Sequence, residues 1–119
     1  MIWMRWGSLA MLCGVALGAF GAHGLKAKLS AEAMLIYHTA VFYHLIHGLG
    51  LLALGWVSLF KPMNVWVRHA GCAFLVGILL FSGSLYLLSV TGVKKWGAMT
   101  PFGGLAFLYG WLCLLLAAQ

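Results

Sequence analysis

Acidic side chains are almost missing: Glu32 is the one carboxylate in 119 residues, against seven lysines and arginines. No carboxylate falls inside an apolar stretch, nothing resembles a nucleophile–base–acid set, and no phosphate-binding loop is present. The chain therefore reads as non-enzymatic, with no catalytic residue. Charge of either sign is scarce, at 7% of residues, where a soluble chain carries about 25%. The three cysteines, Cys13, Cys72 and Cys113, have neither metal-like nor disulfide-like spacing and read as small packing residues. Proline occurs twice, and Pro62 and Pro101 both stand where helices break or begin. No repeat, low-complexity tract or linker divides the chain, so residues 1–119 form a single domain.

What is abundant is apolar: 65% of the residues are hydrophobic, more than a soluble fold of this length can hide. The charged residues Arg5, Lys26, Lys28, Glu32, Lys61, Arg68, Lys94 and Lys95 bound uncharged runs at 6–25, 33–60, 69–93 and 96–119. A helix needs about 20 apolar residues to cross a hydrocarbon core of ~30 Å, so each run suffices for one crossing and none for two. The runs lack the alternation of barrel strands, and helix is the state that satisfies every backbone group in lipid. The expected fold is all-α, an integral membrane antiparallel four-helix transmembrane bundle with helices at about 3–22, 33–60, 69–90 and 100–118.

A positive start followed by an apolar run also describes a signal peptide, and Ala19-Phe20-Gly21 would pass as a cleavage site. The run is longer than a typical signal core, and Leu12 precedes Cys13 where a lipoprotein signal needs a small residue, so the segment is read as the first helix. The net charge of +6 flanks the apolar spans instead of gathering on one solvated face, which argues against nucleic acid. The basic residues read as interfacial anchors, with Trp3, Trp6, Trp66 and Trp96 beside them.

A polar turn from His23 to Ser30 follows the first span, with Ser30 as N-cap of the second helix and Glu32 in its first turn. Pro62 and Asn64 break the chain before the third helix, and Thr91-Gly92 ends it. Thr100 as N-cap with Pro101 at the first helical position starts the fourth. Four crossings put both termini and the 61–68 loop on one face, the terminal face, and the other two turns on a loop face. Lys26, Lys28, Lys94 and Lys95 lie on the loop face against Arg5, Lys61 and Arg68 on the terminal face. Positive-inside bias then puts the loop face in the cytoplasm and the termini outside.

Ala10, Gly14, Gly18 and Ala22 recur every fourth residue, and Gly103, Ala106, Gly110, Cys113 and Ala117 share one face of the fourth helix. Such small-residue stripes let backbones approach closely in lipid. Gly14, Gly18, Gly103 and Gly110 are the expected packing residues, either joining helices 1 and 4 to each other or meeting another subunit.

Polar groups at membrane depth are costly and each asks for a partner. His23, Tyr43, His44, His47, Ser82, Ser84, Tyr86 and Thr100 fall in the half of the bundle nearer the loop face, where one polar pocket would gather them. Hydrogen bonding that holds the bundle together is the plain alternative to a ligand pocket. His44 and His47 alone make a weak metal pair, and haem would need histidines at matching depth on facing helices, so neither metal nor cofactor is expected. His47 is expected to be shielded from lipid and hydrogen-bonded to Tyr43, Ser84 or Tyr86, with His23 folding inward toward it.

Four motifs in order, Gly18-Ala19-Phe20-Gly21-Ala22-His23, Tyr43-x-x-x-His47, Phe81-Ser82-Gly83-Ser84-Leu85-Tyr86 and Thr100-Pro101-x-Gly103-Gly104 running to Gly110-Trp111, resemble the YgdD/YwdK-like small membrane proteins, a domain-of-unknown-function family with eukaryotic relatives. The resemblance covers nearly the whole chain. It implies a four-helix, multi-pass protein of the bacterial inner membrane and brings no activity or cofactor with it. His38, His44 and His69 stand outside the family pattern, which favours His23 and His47 over a His44–His47 pair. The expected function is an accessory or assembly component in the bilayer, partnered by a second copy or another membrane protein. A small-solute or proton conduit is the second expectation, and a redox or metal-binding protein the third.

Overall fold

The starts of the second and third helices follow from local side-chain chemistry. Ser30 is extended and its hydroxyl accepts the Ala33 N–H at 3.1 Å, opening α2 (Ala31–Phe60), with Glu32 in the first turn. Asn64 Oδ1 accepts the N–H groups of Trp66 and Val67 at 2.8 and 3.3 Å, opening α3 (Val65–Thr91). The third helix thus begins earlier than the expected residue 69. Its first turn carries Arg68, so this charge lies inside the helix and does not bound it. Gly92 closes α3 in the left-handed conformation, φ 70°, where a side chain would be strained.

The computed structural model describes residues 1–119, and its four long helices are each apolar enough to cross a membrane. The first, α1 (Ile2–Leu25), ends in a π-helical turn, Gly21–Leu25, so the chain stays helical through His23 where a polar turn was expected. A second π-helical turn, Ile78–Ser82, interrupts α3. A short 3₁₀ turn, Lys94–Ala98, precedes α4 (Thr100–Ala117). Met99, not Thr100, is the N-cap there; Pro101 does stand in the first turn, and the Thr100 hydroxyl is used elsewhere. At 30 residues, α2 is ~45 Å long and overruns a hydrocarbon core of ~30 Å.

The four helices form an antiparallel transmembrane bundle, flattened to 47 × 26 × 16 Å. Packing is by neighbours in the chain: α1 lies on α2, α4 on α3, and α2 against α3. The small-residue stripes face these partners, not each other. Cβ atoms added at Gly7 and Gly14 would fall 2.8 and 2.7 Å from Leu52 and Leu45 of α2. Cβ atoms at Gly103 and Gly110 would fall 2.3 and 2.6 Å from Phe81 and Phe74 of α3. Gly18 is looser, with Val41 at 3.3 Å. The seams are therefore internal, and neither joins helix 1 to helix 4.

Phe74 sits at the centre of the core, fully buried among Leu51, Leu54, Ala70, Phe107 and Cys113. Trp3, expected at the lipid interface, turns inward instead and occupies the space left by Gly71, where a Cβ would meet its ring at 2.5 Å. Cys113 packs in the core, whereas Cys13 and Cys72 face outward. The remaining large apolar side chains, Leu12, Phe42, Trp56, Leu79, Leu105 and Leu108 among them, project from the outer surface as a lipid-facing bundle requires.

Candidate functional site

His47 stands on α2 with its ring lying face to face on Phe107 of α4, centroids 3.4 Å apart and planes within 9°. Its Nδ1–H donates to the Tyr43 carbonyl one turn earlier, at 2.7 Å. The Trp111 indole N–H then donates to Nε2 at 3.0 Å. These two bonds fix the tautomer, because the indole can only donate and Nε2 must therefore be unprotonated. The ring is 3% exposed, and both its nitrogens are engaged by protein. A metal at Nε2 would have to displace Trp111.

The polar residues do not converge on one pocket. Tyr43 supplies its carbonyl, while its ring packs on Phe81 and is 38% exposed at the bundle surface. Tyr86 pairs with His44 instead of His47, its hydroxyl 3.0 Å from Nδ1, and its ring meets Tyr37 edge-on. Tyr37 in turn donates to the Leu17 carbonyl, its ring filling the space beside Gly21 at the start of the first π turn. Ser84 bonds the Phe81 carbonyl at 2.9 Å and the Thr100 hydroxyl at 2.7 Å, joining α3 to the start of α4. Ser82, fully buried, donates to the Ala40 carbonyl of α2 at 2.8 Å.

His23 takes no part. The π turn continues α1 and leaves His23 exposed, so the inward fold that would have brought it to His47 is not made. Three separate side-chain pairs result, His47 with Trp111, His44 with Tyr86, and Ser84 with Thr100, beside the bonds of Tyr37 and Ser82 to backbone carbonyls. Every buried side-chain nitrogen and oxygen has a hydrogen-bond partner. Trp111, Phe107 and Tyr37 were not among the expected site residues. The signal for Trp111 was available, since an indole N–H inside a span needs an acceptor.

Between α2 and α4, Tyr43, His47, Phe107 and Trp111 form the inner wall of a crevice of about 680 Å³ whose rim, Phe42, Leu105 and Leu108, faces outward. The polar side chains among its lining residues are those of Tyr43, His47 and Trp111. No group of three histidine, cysteine or acidic side chains lies close enough to hold a metal ion.

Comparison with known proteins supplies a family for this arrangement. The family described as Protein of unknown function (DUF423) matches residues 17–104, a stretch holding His47, Tyr86, Ser84 and Thr100. A UPF0382 membrane protein of Staphylococcus epidermidis (strain ATCC 35984) is 48% identical over 111 residues, covering 93% of this chain and 89% of the relative. The UPF0382 membrane protein YwdK of Bacillus subtilis (strain 168) is 44% identical over 112 residues, covering 94% and 91%. A UPF0382 membrane protein of Staphylococcus haemolyticus is 46% identical over 111 residues, covering 93% and 89%. No solved structure matches the chain. Four membrane-crossing helices and relatives named as membrane proteins across most of its length make this a multi-pass bacterial membrane protein, and the chain belongs to the DUF423 family.

Proposed function

We propose that the chain is a non-enzymatic accessory or assembly component of the bacterial membrane, whose polar side chains hold the bundle together and whose outer faces meet other membrane constituents. The observation that carries this reading is the state of His47, with one ring nitrogen bound to the Tyr43 carbonyl and the other to the Trp111 indole. A histidine used in this way joins helices and has no free atom for a substrate, proton relay or metal. His44 with Tyr86 and Ser84 with Thr100 likewise join one helix to another. A conduit would need its polar groups strung along the axis. Here His47 is packed on Phe74 and Phe107 of the apolar core.

The test is the composition of the protein as it leaves the membrane. The full chain, tagged and expressed at native level, is extracted in mild detergent, and its mass is measured together with the identity of what accompanies it. The expected result is a complex with a second membrane polypeptide at fixed ratio, from a preparation that leaves a pH gradient intact in reconstituted liposomes. A protein that runs alone or only with its own copies, or one that discharges the gradient, overturns the proposal.

A further inference from the structure

Arg68 has no carboxylate side chain near it to pair with. The single acid of the chain, Glu32, stands in the first turn of α2, at the opposite end of the bundle from the first turn of α3 that carries Arg68. Lys61, a cation at the same end of the bundle, already donates to the Ala117 carbonyl at 2.8 Å. Beside Arg68, the His69 Nδ1 lies 2.8 Å from the Tyr109 hydroxyl of α4. In the tautomer in which Tyr109 donates, the His69 Nε2 carries the proton and has an N–H left to give. Trp66 meets the same imidazole edge-on at 6.0 Å, a neighbour suited to the membrane interface.

Arg68, His69 and Tyr109 are not merely close together on the surface. They form one end of a crevice of about 430 Å³ between α3 and α4, continued by Cys72, Ala73, Val76 and Ala106. Small residues on both helices hold its floor back. From Arg68 to Val76 the helix advances ~12 Å, close to the ~15 Å that one leaflet contributes to the hydrocarbon core. A cation and a neutral donor at interfacial depth, above an apolar trough of one leaflet's length, match a phosphate with a hydrocarbon chain attached to it.

We propose that this crevice binds one anionic glycerophospholipid. Its phosphate is held by the Arg68 guanidinium fork and the His69 Nε2–H, and one acyl chain lies between α3 and α4 over Cys72, Ala73, Val76 and Ala106. Arg suits this role because its planar fork makes paired hydrogen bonds to phosphate oxygens, which a lysine does not. The site is independent of the His47 cluster, which faces the other crevice.

Native mass spectrometry of the detergent-solubilised full chain, titrated with dioleoylphosphatidylglycerol or dioleoylphosphatidylcholine, tests the proposal. The expected result is one retained phosphatidylglycerol, held more tightly than phosphatidylcholine. Arg68→Gln is expected to weaken that binding about fivefold, and Arg68→Lys to recover part of the loss. Ala106→Phe is expected to fill the trough and weaken binding with helicity unchanged; should it lose helicity, Val76→Trp takes its place. Lys94→Gln with Lys95→Gln, at the other end of the bundle, is expected to leave binding as it was. Equal retention of the two lipids, wild-type binding by Arg68→Gln, or undiminished binding by the trough-filling variant overturns the proposal. So does inorganic phosphate that displaces the lipid at matching concentration, because the site would then read the ion and not the chain.

Discussion

The Trp111 indole N–H of α4 donates a hydrogen bond to Nε2 of His47 on α2 across 3.0 Å, and this bond spans two helices with little direct backbone packing between them. Phe107, one turn before Trp111, lies flat on the same imidazole. The last helix is therefore fastened to α2 by side chains and to α3 by backbone proximity at its glycines. The polar contacts and the small-residue contacts do complementary work. Glycines set how near two helices come, and the hydrogen bonds set which residues then face each other.

Replacing Trp111 by Phe keeps a ring and removes the donor, leaving the His47 Nε2 without a partner in an apolar setting. Polar pairs in membrane bundles average about 0.6 kcal/mol and reach roughly 1.7, so a loss of about 1 kcal/mol in detergent-driven unfolding is expected. A cycle with His47→Leu should return a coupling of similar size. Strictly additive single effects would mean that stacking on Phe107 holds the ring and the bond adds nothing.

The contrast between Gly103 and Gly104 offers a sharper test of close packing. A Cβ at Gly103 would stand 2.3 Å from the Phe81 nitrogen and 2.7 Å from its Cα, so α3 and α4 must separate. At Gly104 the nearest atom is 3.8 Å away, an ordinary contact. Gly103→Ala is expected to cost about 1–3 kcal/mol or prevent accumulation, while Gly104→Ala is neutral or slightly stabilising because alanine is the better helix former. Equal behaviour of the two variants in thermal unfolding would show that the seam is not rigid.

These positions show how far the sequence could be read. The spacing of charges defines four spans because each span's length is dictated by the membrane, and Ser30 and Pro101 mark two helix starts because capping is local chemistry. The stripe of Gly14, Gly18, Gly103 and Gly110 is visible as a pattern, yet a pattern of absent side chains does not name the neighbour. That depends on whether Leu45, Phe74 and Phe81 fill the gap, which is a tertiary fact. His23 misleads for a related reason: the glycines around it permit a turn, but a π-helical continuation satisfies the same backbone groups without leaving the helix. Trp111 escapes notice because tryptophan in a membrane chain is ordinarily an interfacial anchor, and here its N–H is used within the bundle.

Lys61 begins the connection after α2 and donates to the Ala117 carbonyl, one of the groups that α4 leaves unsatisfied at its C-terminus. A cation at that end also favours the helix dipole, an effect of about 0.3–1 kcal/mol at such sites. Lys61→Met is expected to raise amide hydrogen exchange in the last turn of α4, residues 114–118, without changing exchange in α1. Unchanged exchange in that turn would mean that packing of Cys113 and Ala117 alone secures the helix end.

The placement of the cations carries an expectation about orientation. Lys26, Lys28, Lys94 and Lys95 are exposed at the loop face, against Arg5, Lys61 and Arg68 at the terminal face. Positive charge near span ends is retained in the cytoplasm, so the loop face is expected there and Gln119 outside. A phosphatase fused after Gln119, active only outside the cytoplasm, should then be active, and a fluorescent protein that matures only in the cytoplasm should be dark. Changing Lys94 and Lys95 to Gln leaves two cations on the loop face against three on the other, and the two reporters should shift toward the opposite pattern. A bright cytoplasmic reporter on the unaltered chain would place both termini inside, and the small excess of lysine at the loop face would then not be what orients the bundle.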